Sequence, residues 1–130
     1  MIDGAIPLVK SALPVIPGLS TYNVYTGHAK NPYNPERSSG GTSGGEGGLV
    51  GSGCSPFGIG SDIAGSIRVP AGNCGASALL PSLKRVARGA SLGLLLESFK
   101  EPECLAHAAL GPIAKTPDDI EIIMQSLCKK

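Results

Sequence analysis

The stretch from Arg37 to Gly75, RSSGGTSGGEGGLVGSGCSPFGIGSDIAGSIRVPAGNCG, limits what this chain can fold into more than any other part of it. It holds thirteen of the nineteen glycines, from Gly40 to Gly75, together with seven serines, from Ser38 to Ser66, and Thr42. Glycine at this density serves one of two ends: a backbone left free, or one held in positive φ and in close approaches that a Cβ forbids. The apolar residues inside the tract separate them. Leu49, Val50, Cys54, Phe57, Ile59, Ile63, Ile67, Val69 and Cys74 recur through it, and a solvated linker gains nothing from side chains whose burial is favourable. The tract is therefore predicted to be an ordered, buried core segment.

The remaining composition narrows the class. At 130 residues the chain has the size of one small domain. Charged residues make up 16%, against about a quarter in soluble domains, while 42% are hydrophobic. That balance suits a chain covered by partners on several sides or a piece of something larger. A net charge of +1 and basic residues scattered apart from Lys84, Arg85 and Arg88, without interleaved aromatics, argue against nucleic-acid binding. Cys54, Cys74, Cys104 and Cys128 form no CxxC, and neither His28 nor His107 has a metal-ligand neighbour, so a zinc site is not expected and both histidines are assigned structural roles. The N-terminus is apolar but carries Asp3 and Lys10 and is broken by Pro7, Pro14 and Pro17; it fits neither a signal peptide nor a membrane span. Reduced thiols and a cytoplasmic setting are the default expectation.

In chain order, AIPLVK (5–10) is predicted to be a short buried strand, and residues 14–35 an irregular surface segment rich in Pro, Gly, Asn and Ser. Residues 44–53 suit a helix packed closely on another backbone, with an anion-friendly N-terminal end. Residues 56–63 read as a strand, 66–74 as the opening of a helix, and 76–83 as a buried strand broken at Pro81. Lys84 to Arg88 is expected to be exposed; Ser91 to Phe99 and Leu105 to Ile113 are apolar segments without an assigned partner. The final helix is the best specified. Thr116 is a good N-cap, Pro117 fits the first helical position, Asp118 and Asp119 suit the positive end, and Lys129 and Lys130 the negative one. Ile120, Ile123, Met124 and Leu127 recur at helical spacing as one core or interface face.

Three chemistries compete for the Gly/Ser tract. A phosphate-cradling loop needs GK[ST] or GxGxxG, and neither occurs. A GxSxG nucleophile elbow is matched by Gly41-Thr42-Ser43-Gly44-Gly45, with Asp62 and His107 as partners, but no strand precedes the turn and such matches arise by chance in a Gly/Ser tract. The third uses more of the residues. GGTSGGEG followed by GSDIAGSIRVPA resembles the signature of the amidase family, and NPYNPERSSGGTSGGEGGL with SDIAGSIR is most similar to its fatty-acid amide hydrolase branch. GAIPLVKS ahead of the tract, and ESFKEPE and LGPIAKTPDDIEIIMQSL after it, extend the resemblance over nearly the whole chain.

The resemblance implies an α/β fold, here a partial amidase-signature domain over 1–130 whose central mixed sheet carries flanking helices and whose N- and C-terminal portions are missing. It implies an amidase-type serine hydrolase with a Ser-Ser-Lys triad, cleaving C–N bonds of small-molecule amides, fatty-acid amides among them, with no cofactor and no metal. Ser66 matches the nucleophile. Thr42 stands at the bridging-serine position, which in the family follows a cis peptide bond; its extra methyl restricts χ1. The backbone N–H groups of Ile63, Ala64, Gly65 and Ser66 match the oxyanion hole, and Ser43, Asp62 and Arg68 match supporting positions. Ala64 stands where the family usually has glycine. The family's catalytic lysine lies further upstream than Met1, and neither Lys10 nor Lys30 occupies its motif, so the isolated chain is expected to be inactive as an enzyme. A non-catalytic remnant that binds a partner or a small amide is the alternative from another class. Homodimerisation and membrane association are left open.

Overall fold

The computed structural model describes residues 5–15, 18–87 and 107–128. Their order is β1 (Tyr22–Asn23), β2 (Gly27–His28), α1 (Gly44–Gly51), β3 (Phe57–Asp62), α2 (Arg68–Asn73), β4 (Ser77–Ala78), β5 (Ala109–Ala114) and α3 (Pro117–Leu127). The α/β class implied by the resemblance is what these elements build. β1 and β2 form a small hairpin, while β5 runs between β3 and β4, antiparallel to both. No helix among the described residues is long and apolar enough to cross a membrane.

Strand alternation decides which side chains of β3 face the helices. Gly58, Gly60 and Asp62 are buried, while Phe57 and Ile59 are each 38% exposed. In register, Gly58 lies opposite Ile113, Gly60 opposite Gly111 and Asp62 opposite Ala109. The inward face is thus nearly bare backbone, which lets α1 settle directly on it, while α2 packs on α1 and β4. Val50 of α1, Ile67 and Ala71 around α2, and Ile113 of β5 then close a compact core, flanked by Ala76 and Ala78. The two helices meet where Gly47 faces Pro70: a Cβ on Gly47 would stand 2.8 Å from Pro70 Cβ and 2.9 Å from its carbonyl oxygen. The Gly-rich tract is accordingly ordered throughout, and its helix, strand and second helix fall at 44–51, 57–62 and 68–73, as expected.

α3 follows the sequence closely. Thr116 caps it, with Asp119 N–H donating to Thr116 Oγ1 at 3.2 Å and the Asp119 carboxylate accepting the Thr116 N–H at 3.1 Å, a reciprocal capping box. Ile120 is buried against the sheet, and Ile123, Met124 and Leu127 are half-buried. Other segments depart from expectation. Residues 5–10 form no strand and are exposed, Ile6 to 80%, because an apolar run becomes a strand only where a neighbouring backbone offers a ladder. The strand expected over 76–83 shrinks to Ser77–Ala78, with one further bond from Leu79 N–H to the Pro112 carbonyl at 3.2 Å before Pro81 removes a donor. The irregular segment at 14–35 contains the hairpin and a buried residue, Thr21. Arg88, Ser91 to Phe99, Cys104 to Ala106, Lys129 and Lys130 lie outside the described residues.

The Gly47–Pro70 contact makes a stability prediction. Gly47→Ala should raise intrinsic helix propensity yet destabilise the fold by about 1–3 kcal/mol through overpacking. Urea denaturation of the two proteins reads the difference; a more stable alanine variant would show that the helices do not meet this closely.

Candidate active site

Two turns converge beneath the helices. The first leaves β3 at Asp62 and runs through Ile63, Ala64, Gly65 and Ser66 into α2. Asp62 is 1% exposed, and its inward orientation follows from the alternation that also points Gly58 and Gly60 inward. Its carboxylate accepts the N–H groups of Gly65 at 2.7 Å, Ile67 at 2.9 Å and Arg68 at 3.3 Å, together with Arg68 Nε at 3.1 Å and Nη2 at 3.0 Å. The residues on both sides of Ser66 are thereby tied to one carboxylate. Gly65 has φ +117°, a conformation that glycine adopts without the Cβ penalty of other residues.

The second turn precedes α1. The Gly41–Thr42 peptide is cis, at the position the resemblance implied. Ser43 follows at the helix N-cap, 1% exposed, its hydroxyl 3.5 Å from the Ser61 carbonyl and not capping the helix. The Ser43 N–H donates to the Ser66 carbonyl at 3.0 Å. That bond joins the two turns, so Thr42 and Ser66, 24 positions apart in sequence, stand on adjoining strands of backbone. Both are half-buried. The burial of Ser43 also argues against the GxSxG elbow, which requires an exposed hydroxyl at that position.

The four amides assigned to the oxyanion hole are not equivalent. Gly65 N–H is already engaged by Asp62, whereas those of Ile63, Ala64 and Ser66 make no hydrogen bond among the described residues. The end of α1 expected to favour anions is occupied by the chain itself: Gly44 N–H donates to Thr21 Oγ1 at 3.0 Å, Gly47 N–H to the Ser43 carbonyl at 3.0 Å, and Glu46 places a carboxylate in the first turn. Ser11 Oγ donates to Glu46 at 2.7 Å. Beside them lies a cleft of about 460 Å³, with Lys10, Ser43, Glu46, Ile59 and Ser61 in its walls. A second cleft, about 390 Å³, adjoins the Asp62 turn and is bounded by Ile63, Leu80, Pro81, Leu83, His107 and Ala109. His28 packs against Tyr22, ring centroids 4.7 Å apart.

Thr21 is the site feature that sequence reasoning missed. It is fully buried and contacts the Thr42 turn through its hydroxyl. Its neighbours Ser20 and Tyr22 are both exposed and the surrounding residues are turn formers, so no local signal marked it.

Burial raises the Asp62 pKa, but the Arg68 guanidinium and the backbone donors outweigh it and bring the value from 3.8 to about 2. A depressed folded-state pKa means the unfolded chain takes up the proton first as pH falls. The corresponding stability, about 2 kcal/mol, is complete above about pH 4 and is lost as pH falls through about 2. Asp62→Asn should abolish that acid-side step and destabilise the protein at neutral pH by about 3 kcal/mol. Urea midpoints measured across a pH series test both; an unchanged step in the asparagine variant would remove Asp62 as its source.

The geometry can be compared with known proteins. A family model described as Amidase matches residues 2–130. The chain is 38% identical over 126 residues to a vitamin D3 hydroxylase-associated protein of Gallus gallus, covering 96% of this chain and 26% of that one. It is 37% identical over 128 residues to an acetamidase of Aspergillus oryzae, covering 98% and 23%, and 31% identical over 129 residues to fatty-acid amide hydrolase 1 of Sus scrofa, covering 97% and 21%. Among solved structures, a 6-aminohexanoate cyclic dimer hydrolase in complex with substrate superposes with a TM-score of 0.82 at 30% identity, over 95% of this chain and 24% of that one. A fatty acid amide hydrolase gives 0.73 at 42% identity, over 88% and 20%. The chain thus spans about a quarter of the length of these relatives. With a family model matched from residue 2 to residue 130, the chain belongs to the amidase family.

Proposed function

We propose that this chain carries the nucleophile and relay of an amidase-type serine hydrolase that cleaves the C–N bond of a small-molecule amide. The bond from Ser43 N–H to the Ser66 carbonyl, which brings the Thr42 and Ser66 turns together, is the observation that supports it most directly. Ser66 Oγ attacks the amide carbonyl carbon. Its proton passes to Thr42 Oγ1, whose own proton moves on to a base, the lysine in the Ser-Ser-Lys arrangement. The tetrahedral oxyanion accepts hydrogen bonds from the N–H groups of Ile63, Ala64 and Ser66, with Gly65 shared between it and Asp62; one such donor is worth about a hundredfold or more in rate. The proton returns along the relay to the nitrogen as the C–N bond breaks, the amine departs, and water then hydrolyses the Ser66 ester to release the carboxylic acid.

Asp62 and Arg68 do not touch the substrate in this mechanism; they hold the turn. No position of these 130 residues matches the lysine motif, so turnover requires a base from outside this segment, and the segment alone is expected to turn over poorly. Short and long acyl amides are both candidate substrates, a reading supported by the similarity to an acetamidase and to a fatty-acid amide hydrolase.

A fluorophosphonate probe tests the assignment. Labelling of the full-length protein should disappear in Ser66→Ala. Thr42→Ser should retain it, and Thr42→Val should slow it about a hundredfold, since the relay hydroxyl is gone. Equal labelling of Ser66→Ala and the unaltered protein overturns the nucleophile assignment, and no labelling of any variant favours a non-catalytic binding module.

A further inference from the structure

Thr21 is used by no step of that mechanism, yet it touches the turn on which the mechanism depends. It lies just before β1, fully buried. Its single hydroxyl proton is shared between the Gly40 carbonyl at 2.9 Å and the Thr42 carbonyl at 3.1 Å, and its oxygen accepts the Gly44 N–H at 3.0 Å. One hydroxyl therefore holds the carbonyls on both sides of residue 41 and the first amide of α1. The backbone just before Thr21 closes on the same turn: a Cβ on Gly41 would stand 2.7 Å from the Gly18 carbonyl oxygen and 2.9 Å from Ser20 N. The Ser43 hydroxyl, at 3.5 Å from its acceptor, holds the turn far less firmly.

We propose that Thr21 is the positioning residue of the Thr42 relay. Its hydroxyl fixes the backbone from residue 40 to residue 44 and so sets where the Thr42 side chain stands relative to Ser66. This rests on the assignment of Ser66 and Thr42 given above. The hydroxyl carries the role and the methyl does not. Valine has the shape of threonine but neither donates nor accepts, leaving the Gly40 and Thr42 carbonyls and the Gly44 N–H short of a partner. Serine keeps every one of those bonds.

Two readouts on the full-length protein test this: amide hydrogen exchange at Gly44, referenced to Ala71 in α2, whose N–H bonds the Ile67 carbonyl, and the rate of fluorophosphonate labelling per folded molecule. Thr21→Val should speed exchange at Gly44 and slow labelling, each about tenfold, while Thr21→Ser behaves as the unaltered protein in both. Labelling of Thr21→Val at the unaltered rate, or a folded Thr21→Ser as slow as valine, overturns the proposal. Should the valine variant not fold, the serine variant decides: unaltered exchange and labelling sustain the role of the hydroxyl, and slow labelling ends it. Failure of the Ser66 assignment is visible separately, as labelling that persists in Ser66→Ala. The exchange arm then decides alone, since unchanged Gly44 exchange in Thr21→Val overturns the fixing of residues 40–44 by the Thr21 hydroxyl and faster exchange confined to those residues sustains it.

Discussion

A buried carboxylate with five donors underlies this architecture. An ionised carboxylate removed from water is strongly unfavourable unless it is paired and hydrogen-bonded, and Asp62 meets that demand with three backbone amides and the two guanidinium nitrogens of Arg68. The dependence runs both ways. The turn from residue 63 to residue 66 takes its shape from the carboxylate, and the carboxylate stays charged because the turn wraps around it. Arg68 keeps its side chain 51% exposed, so one end of the pair remains in water while the other is enclosed. This lowers the desolvation cost relative to a fully buried pair.

The same carboxylate faces inward because of where β3 carries its glycines. In FGIGSD the bulky residues turn outward and the small ones toward the helices, so backbone packs on backbone. A core of this kind needs few large side chains: Val50, Ile67, Ala71 and Ile113 suffice at its centre, in a chain whose aromatics are only 4%. What glycine contributes here is proximity. Helix, strand and turn approach closely enough for Ser43 and Ser66 to share a backbone hydrogen bond, and for Thr21 to reach across to the Thr42 turn.

Much of this was legible in the residues. The α3 signals at Thr116, Pro117 and Asp119 are local, acting within one turn of helix, and the helix forms where they point. The Gly/Ser tract was legible as ordered because apolar residues recur through it, and its helix, strand and second helix lie within the segments 44–53, 56–63 and 66–74 expected for them. Ser66, Thr42, Asp62 and Arg68 were singled out through their resemblance to a motif, and the structure joins the last two in an ion pair. The misses share a cause. Residues 5–10 look like a strand, but strand formation depends on a second backbone that no local pattern specifies. Thr21 looks like a turn residue because its burial is imposed by segments about twenty positions away.

The sequence by itself determined the family, the tract that folds, the capped final helix and the residue types present at the two turns, because each of these rests on local chemistry or on a contiguous motif. Tertiary structure alone decided that Gly65 spends its amide on Asp62 while Ile63, Ala64 and Ser66 do not, that Ser43 is buried and ties the two turns together, and that the Thr21 hydroxyl reaches the backbone around Thr42. Those outcomes depend on which distant backbone arrives within about 3 Å of a given donor, and that distance is set by packing along the whole sheet, not by the residues at either end of the bond.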